Sequence, residues 1–137
     1  MRNRNIFGPP GIAYVYLSYG THKLLNVVCE TEGVGSAVLI RALHPQDGEE
    51  LMARRRGRSR DLCNGPGRLT QALGIDLAYD GQDLTSGDLT ISEGRRPDGI
   101  VETTRIGISR GTDLPWRYLV EGDRNVSVPP KIIAGRR

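Results

Sequence analysis

Gly11-Ile12-Ala13-Tyr14-Val15-Tyr16-Leu17-Ser18-Tyr19-Gly20-Thr21-His22-Lys23-Leu24-Leu25-Asn26-Val27-Val28-Cys29-Glu30 is the stretch on which the fold turns. Residues 12–18 are rich in β-branched and aromatic side chains and read as a strand. Residues 19–22 read as a turn around Gly20, and residues 23–30 as a second strand, so the two make a β-hairpin with a slightly long loop. Strand alternation sets Tyr14 and Tyr16 on one face, with Val15 and Leu17 on the other. Tyrosines on a strand face ordinarily serve packing. Tyr19 is different, because a hairpin tip offers nothing to pack against. An aromatic there, beside basic groups, suits stacking on nucleobases or wedging between them.

Outward from the hairpin, turns and short elements alternate. Phe7-Gly8-Pro9-Pro10-Gly11 is a turn-forming entry, and Gly33-Val34-Gly35 is another turn. Residues 37–43 form an apolar run of strand length that contains one charge, Arg41. A charge there needs a partner or an outward-facing place at the strand end. Residues 47–60 have helical composition, with Asp47 as a candidate cap and Glu49 and Glu50 in the first turn. Arg54, Arg55, Arg56, Arg58 and Arg60 fill the rest; they make either a solvated face or a phosphate-contacting patch. The Gly65-Pro66-Gly67 turn feeds a short helix over residues 68–73 that ends at Gly74. Its first N–H groups could meet a phosphate, although the segment matches no Walker pattern. Residues 88–92, 101–108 and 116–121 read as short strands. The class is α+β, with a mostly antiparallel sheet, a protruding hairpin and short helices.

The length of 137 residues suits a single domain spanning 1–137. A net charge of +3, carried by 17 arginines and 2 lysines, fits a polyanionic partner without requiring one. No run of about 18 apolar residues is present, so no membrane span is expected. Met1-Arg2-Asn3-Arg4-Asn5 has charge but no apolar region after it, which argues against a secretory signal and for a soluble, cytoplasmic protein. Cys29 and Cys63, with His22 and His44, have no metal-site spacing and read as small buried or half-buried thiols; neither metal nor cofactor is expected. Neither Lys23 nor Lys131 has the setting of a Schiff-base nucleophile, and G-x-S-x-G and H-E-x-x-H are absent.

Five blocks, in order, resemble the alkyladenine (3-methyladenine) DNA glycosylase family. They are the hairpin itself; Ala37-Val38-Leu39-Ile40-Arg41-Ala42-Leu43 with Pro45 and Gly48; Leu62-Cys63-Asn64-Gly65-Pro66-Gly67-Arg68-Leu69 with Gln71-Ala72-Leu73-Gly74-Ile75; Arg105-Ile106-Gly107-Ile108; and Pro115-Trp116-Arg117-Tyr118 with Val126-Ser127. The resemblance implies a fold similar to the C-terminal domain of methionyl-tRNA formyltransferase. It implies a monomeric, DNA-associated bacterial repair enzyme that flips alkylated or deaminated purines out of double-stranded DNA and hydrolyses the N-glycosidic bond without a Schiff base. Tyr19 matches the family's wedging tyrosine and Tyr16 the aromatic that stacks on the flipped base. Asn26 matches the asparagine that discourages the exocyclic amine of guanine. Arg41 matches the arginine that organises the site around the attacking water.

One part of the family pattern has no counterpart here. The family's general-base glutamate lies in a Glu-x-Glu-Ala-Tyr-like segment several tens of residues before the hairpin. Glu30-Thr31-Glu32 has the spacing but follows the hairpin and is not assigned that role; no catalytic residue is identified beyond supporting Arg41. The expectation is an N-terminally truncated, incomplete glycosylase domain, with an unpaired sheet edge and exposed apolar strand faces. The alternatives are a catalytically inactive lesion-binding fragment and, by fold analogy alone, an RNA-binding domain.

Overall fold

A computed structural model describes residues 4–126. The expectations that fell on Met1 to Asn3, Ser127 and Lys131 lie outside the described residues. Within them the α+β reading holds: five strands, two α-helices and two short 3-10 turns, all strand pairing antiparallel.

The hairpin is the axis of the molecule. Strand β1 (Ala13–Ser18) pairs with β2 (His22–Val28), with Tyr14 opposite Asn26 and Tyr16 opposite Leu24. The loop is the three residues Tyr19-Gly20-Thr21, closed by Thr21 N donating to Ser18 O at 3.1 Å. Two consecutive left-handed residues, Tyr19 at φ 50° and Gly20 at φ 72°, reverse the chain in so short a span. Gly20 does so without penalty; Tyr19 does not.

Because the side-chain period is two, the hairpin has two distinct faces. Ala13, Val15 and Leu25 are buried on one, packed with Ile75 and Leu84. A second cluster of Leu62, Cys63, Leu69 and Ala72 lies beneath α1 (Glu49–Arg56) and α2 (Pro66–Leu73), and Ile40 touches both clusters. Helix α2 is pinned to the hairpin by Thr70, whose buried hydroxyl donates to Lys23 O at 2.7 Å. Gly67 lets the helix come this close: a Cβ there would sit 3.0 Å from His22 Nδ1.

The outer edge of β1 is covered. Ala13 N donates to Gln82 O, Gly81 N to Ala13 O and Leu84 N to Gly11 O, while Val15 N donates to Asp80 Oδ1 at 2.8 Å. The other Asp80 oxygen accepts from Asn5 Nδ2, also at 2.8 Å. Replacing Asp80 by alanine strands the Val15 N–H and should destabilise the chain by about 1–3 kcal/mol, read from chemical denaturation. A loss below about 0.5 kcal/mol would mean that water satisfies that donor.

Beyond shifts of one or two residues at the ends of β1, β2 and α2, four segments differ from expectation, each for a local reason. Strand β3 is only Ala37–Leu39, not residues 37–43. Ile40 N still reaches Leu25 O, but Thr70 occupies Lys23 O, and the chain leaves the sheet so that Leu43 N can donate to Cys63 O. Helix α1 covers eight residues rather than 47–60, since Gly48 and Gly57 are both left-handed and bracket it; Gly48, not Asp47, stands at its N-cap. Residues 88–92 form no strand: Ile91 N bonds Leu84 O, Leu89 packs on the core, and Ile91 stays exposed. The last hairpin is β4 (Ile100–Thr103) with β5 (Arg117–Val120), shorter than residues 101–108 and 116–121 implied.

The outer edge of β3 has no strand partner among the described residues, and Val38 is 53% exposed there, in line with the open edge expected. No helix of the described residues is long and apolar enough to cross a membrane. Of the two thiols Cys63 is buried, and burial raises its pKa; Cys29 is exposed, not half-buried as expected.

Candidate functional site

The hairpin face opposite the core lines a cavity of about 820 Å³ that runs from β2 and β3 to the β4–β5 hairpin. Tyr14 is buried and stacks on the cavity-lining Tyr16, with ring centroids 5.1 Å apart and planes 27° from parallel. Tyr16 continues that stack into the cavity and is half-buried. Asn26 stands across from Tyr14, buried, with Nδ2 donating to Tyr14 O at 3.2 Å. That bond fixes the amide in place at the cavity wall.

Arg41 lies two residues past the end of β3. Leu39 pairs with Asn26, and the Ile40–Leu25 hydrogen bond carries the strand geometry one residue further. Alternation therefore turns Ile40 into the core and Arg41 into the cavity. The guanidinium is half-buried and donates to Ile106 O at 3.1 Å. So the outward-facing placement at a strand end is not the one realised. Burial pushes the Arg41 pKa down, and the positive charges of Arg117 and Arg105 push it the same way, against Tyr16, which raises it.

Beyond Arg41 a second cavity of about 620 Å³ opens at the hairpin tip, lined by Tyr16, Ser18, Tyr19, Gly20, Arg41 and Ile108 among others. Tyr19 is 95% exposed. Of the four residues singled out in the sequence, Tyr16, Asn26 and Arg41 meet on the main cavity, and Tyr19 lines the second cavity, which shares Tyr16 and Arg41.

Three further residues shape the cavity and were not singled out as site residues: Arg105, Trp116 and Arg117. Arg105 lies over the Trp116 ring, 5.2 Å from its centroid, a cation–π distance. Arg117 is buried, which lowers its pKa. Its alternation with exposed Trp116 and Tyr118 was the available signal, a cation on the covered face of a two-faced strand. One carboxylate lines the cavity among the described residues, Asp123. It accepts from Asn125 N at 2.7 Å and Asn125 Nδ2 at 2.9 Å, and these bonds depress its pKa. Asn125 Nδ2 also meets His44 Nδ1 at 3.1 Å. Glu30 and Glu32 are exposed and line neither cavity.

The arginines of α1 divide by use. Arg55 donates to Ala72 O, while Arg56 holds Leu62 O, Asp61 O and Gln71 Oε1. Arg58 pairs with Asp61 at 3.1 Å, and Arg68 donates to Asn64 Oδ1. Much of this run therefore ties α1 to α2 and to the loop between them. Arg54 and Arg60 are exposed.

Comparison with known sequences gives one coherent answer. The sequence profile of a family described as methylpurine-DNA glycosylase matches residues 1–124. A protein of Rubrobacter xylanophilus with the provisional name 3-methyladenine DNA glycosylase is 67% identical over 138 aligned positions, covering 99% of this chain and 72% of its own. A Rhodopseudomonas palustris protein with the same provisional name is 53% identical, covering 95% of this chain and 66% of its own. Another, from Methanoculleus marisnigri, is 49% identical, covering 92% of this chain and 69% of its own. The chain thus spans roughly two thirds to three quarters of the length of these relatives.

Proposed function

Because the chain belongs to the methylpurine-DNA glycosylase family, we propose that it takes a damaged purine, flipped out of duplex DNA, into the cavity beneath Tyr16 and serves hydrolysis of its N-glycosidic bond. The observation that carries this reading is the convergence of Tyr16, Asn26 and Arg41 on one cavity, with Tyr19 almost wholly exposed beside it. A glycosidic bond inside a base stack is out of reach, so the nucleotide must leave the helix. Tyr19 is the side chain free to enter the gap. Tyr16, backed by Tyr14, offers a rigid aromatic plane to the extruded base, and an electron-poor alkylated purine stacks on it best. Asn26 cannot swing away, since its amide is bonded to Tyr14 O; a purine with an extra exocyclic amine meets a fixed group there. Arg41 brings N–H donors and positive charge to the place where water would attack C1′.

The attacking water needs a base. Asp123 suits that task poorly, as its lowered pKa makes it a weak proton acceptor and Asn125 already occupies it. That observation favours a second reading, selective binding of the lesion without hydrolysis by these residues alone.

A single-turnover experiment separates the two. The protein is incubated with a duplex carrying one ethenoadenine or hypoxanthine, and base release and binding are read in the same sample. Release above the protein-free rate supports the glycosylase reading. Lesion-selective binding without release supports the second, and neither would overturn both. Tyr19→Ala should weaken lesion-selective binding by about tenfold, the size of one lost base–aromatic contact. It should leave the thermal midpoint unchanged, because the ring is 95% exposed.

A further inference from the structure

The hairpin outgrows its sheet. Strand β3 follows β2 only as far as Asn26 opposite Leu39, with one further bond from Ile40 N to Leu25 O. Among the described residues no third strand runs beside His22, Lys23 or Leu24, so the tip half of the hairpin is a two-stranded ribbon. Such a ribbon is barely stable by itself. It nevertheless carries Tyr19, a non-glycine residue at φ 50°, in a three-residue loop closed by one hydrogen bond. A residue with a side chain keeps a left-handed backbone only where its surroundings hold it there.

Helix α2 supplies a hold at the first two residues after the loop. Alternation points Leu25 O and Lys23 O to the same margin of β2. Ile40 N takes the first, and the Thr70 hydroxyl takes the second, at 2.7 Å. A helical threonine ordinarily turns its hydroxyl back on its own helix. Thr70 has that choice too, in Gly67 O at 3.0 Å, but with one proton to give its closer acceptor is the strand. Thr70 is 2% exposed, which keeps water from the bond. One turn earlier Gly67 lies against His22, where a Cβ would sit 3.0 Å from Nδ1 and 3.3 Å from the histidine Cβ.

We propose that Thr70 is a positioning residue for Tyr19: through Lys23 O it fixes where the hairpin tip stands, so that the tyrosine meets DNA already set. The proposal rests on the reading of Tyr19 as the side chain that enters the duplex. A tip free to move would have to be ordered each time a duplex bound, and that cost falls on affinity. With Thr70 in place the ordering is complete once the chain has folded. Thr70 lines neither cavity, so losing its hydroxyl changes how the tip engages DNA and leaves the walls of the base cavity as they are.

A double-mutant cycle tests this in the binding of the full chain to a duplex carrying one ethenoadenine. Thr70→Val keeps the shape without the proton. It should weaken lesion binding about fivefold when Tyr19 is present and hardly at all in Tyr19→Ala. Thr70→Ser, which restores the hydroxyl, should bind within about twofold of the unaltered protein. A merely structural role would weaken both backgrounds alike. Because Thr70→Val leaves Lys23 O unpaired and lowers stability, the titrations run well below each variant's thermal midpoint. A second measurement needs no variant. In the free, unaltered protein the Thr21 amide, which donates to Ser18 O, should exchange with solvent at least about a hundredfold more slowly than in an open chain. Unprotected exchange there overturns the inference. So do equal losses in both backgrounds, or no loss from Thr70→Val while Tyr19→Ala still weakens binding; in these cases the reading of Tyr19 stands. If Tyr19→Ala binds the lesion as tightly as the unaltered protein, the reading of Tyr19 itself fails, and the inference falls with it.

Discussion

Tyr16→Ala will lower the preference for a lesion duplex over an undamaged one by about a hundredfold, near the upper end of what one base–aromatic stack contributes. The upper end is expected because Tyr16 is half-buried, lines both cavities and is braced from behind by Tyr14, so little freedom remains to be lost when a base arrives. Removing the ring also removes the Tyr14 contact, worth about 0.5–1.5 kcal/mol of fold stability, so the thermal midpoint should fall by a few degrees. Tyr16→Phe keeps the plane and should retain selectivity within about threefold, since stacking needs no hydroxyl. The readout is the ratio of dissociation constants for the two duplexes. A ratio unchanged in Tyr16→Ala would place the damaged base elsewhere, and the proposed cavity would lose its main support.

Leu69→Ala will cost about 2–5 kcal/mol of folding free energy, the range for a fully enclosed leucine truncated in a packed core. Leu69 has no exposed surface and sits in the cluster of Leu62, Cys63 and Ala72, where few neighbours can collapse into the void. For a chain of this size the loss corresponds to a midpoint lower by about 10–20 °C. Leu51, 44% exposed on α1, is the control: Leu51→Ala should stay within about 0.5 kcal/mol. The consequence reaches the site, since Thr70 follows Leu69 and holds Lys23 O at the base of the tip loop. A Leu69→Ala loss below about 1 kcal/mol would show that α1 and α2 already move independently of the hairpin.

The hairpin was legible because three signals coincide there: alternation through Tyr14, Val15, Tyr16 and Leu17, a turn at Gly20, and alternation resumed through Asn26. Each is local in sequence and survives without knowledge of the rest. Arg41 stood out for the same reason, as a charge in an apolar run. Its true setting did not, because its acceptor Ile106 is 65 residues away. Arg105 was hidden likewise: it looks like a surface residue until the fold sets it over Trp116 on the cavity. The end of β3 was unreadable because competition from Thr70 decides it, from another part of the chain. The limits of α1 could have been read. Gly48 and Gly57 bracket the run, and both are left-handed, whereas the count of charged residues between them invited a longer helix.

The hairpin sheet has one stitched margin, along β1, and one open margin, along β3 among the described residues. Strand-to-strand stacking of this sheet into a fibre would need two free margins per copy, one to accept and one to offer. With one, two copies can join only margin to margin about a twofold axis, and the act of joining uses up the surface that permitted it. Pairing of that open margin with its own copy would thus end in closed pairs, not in growing filaments.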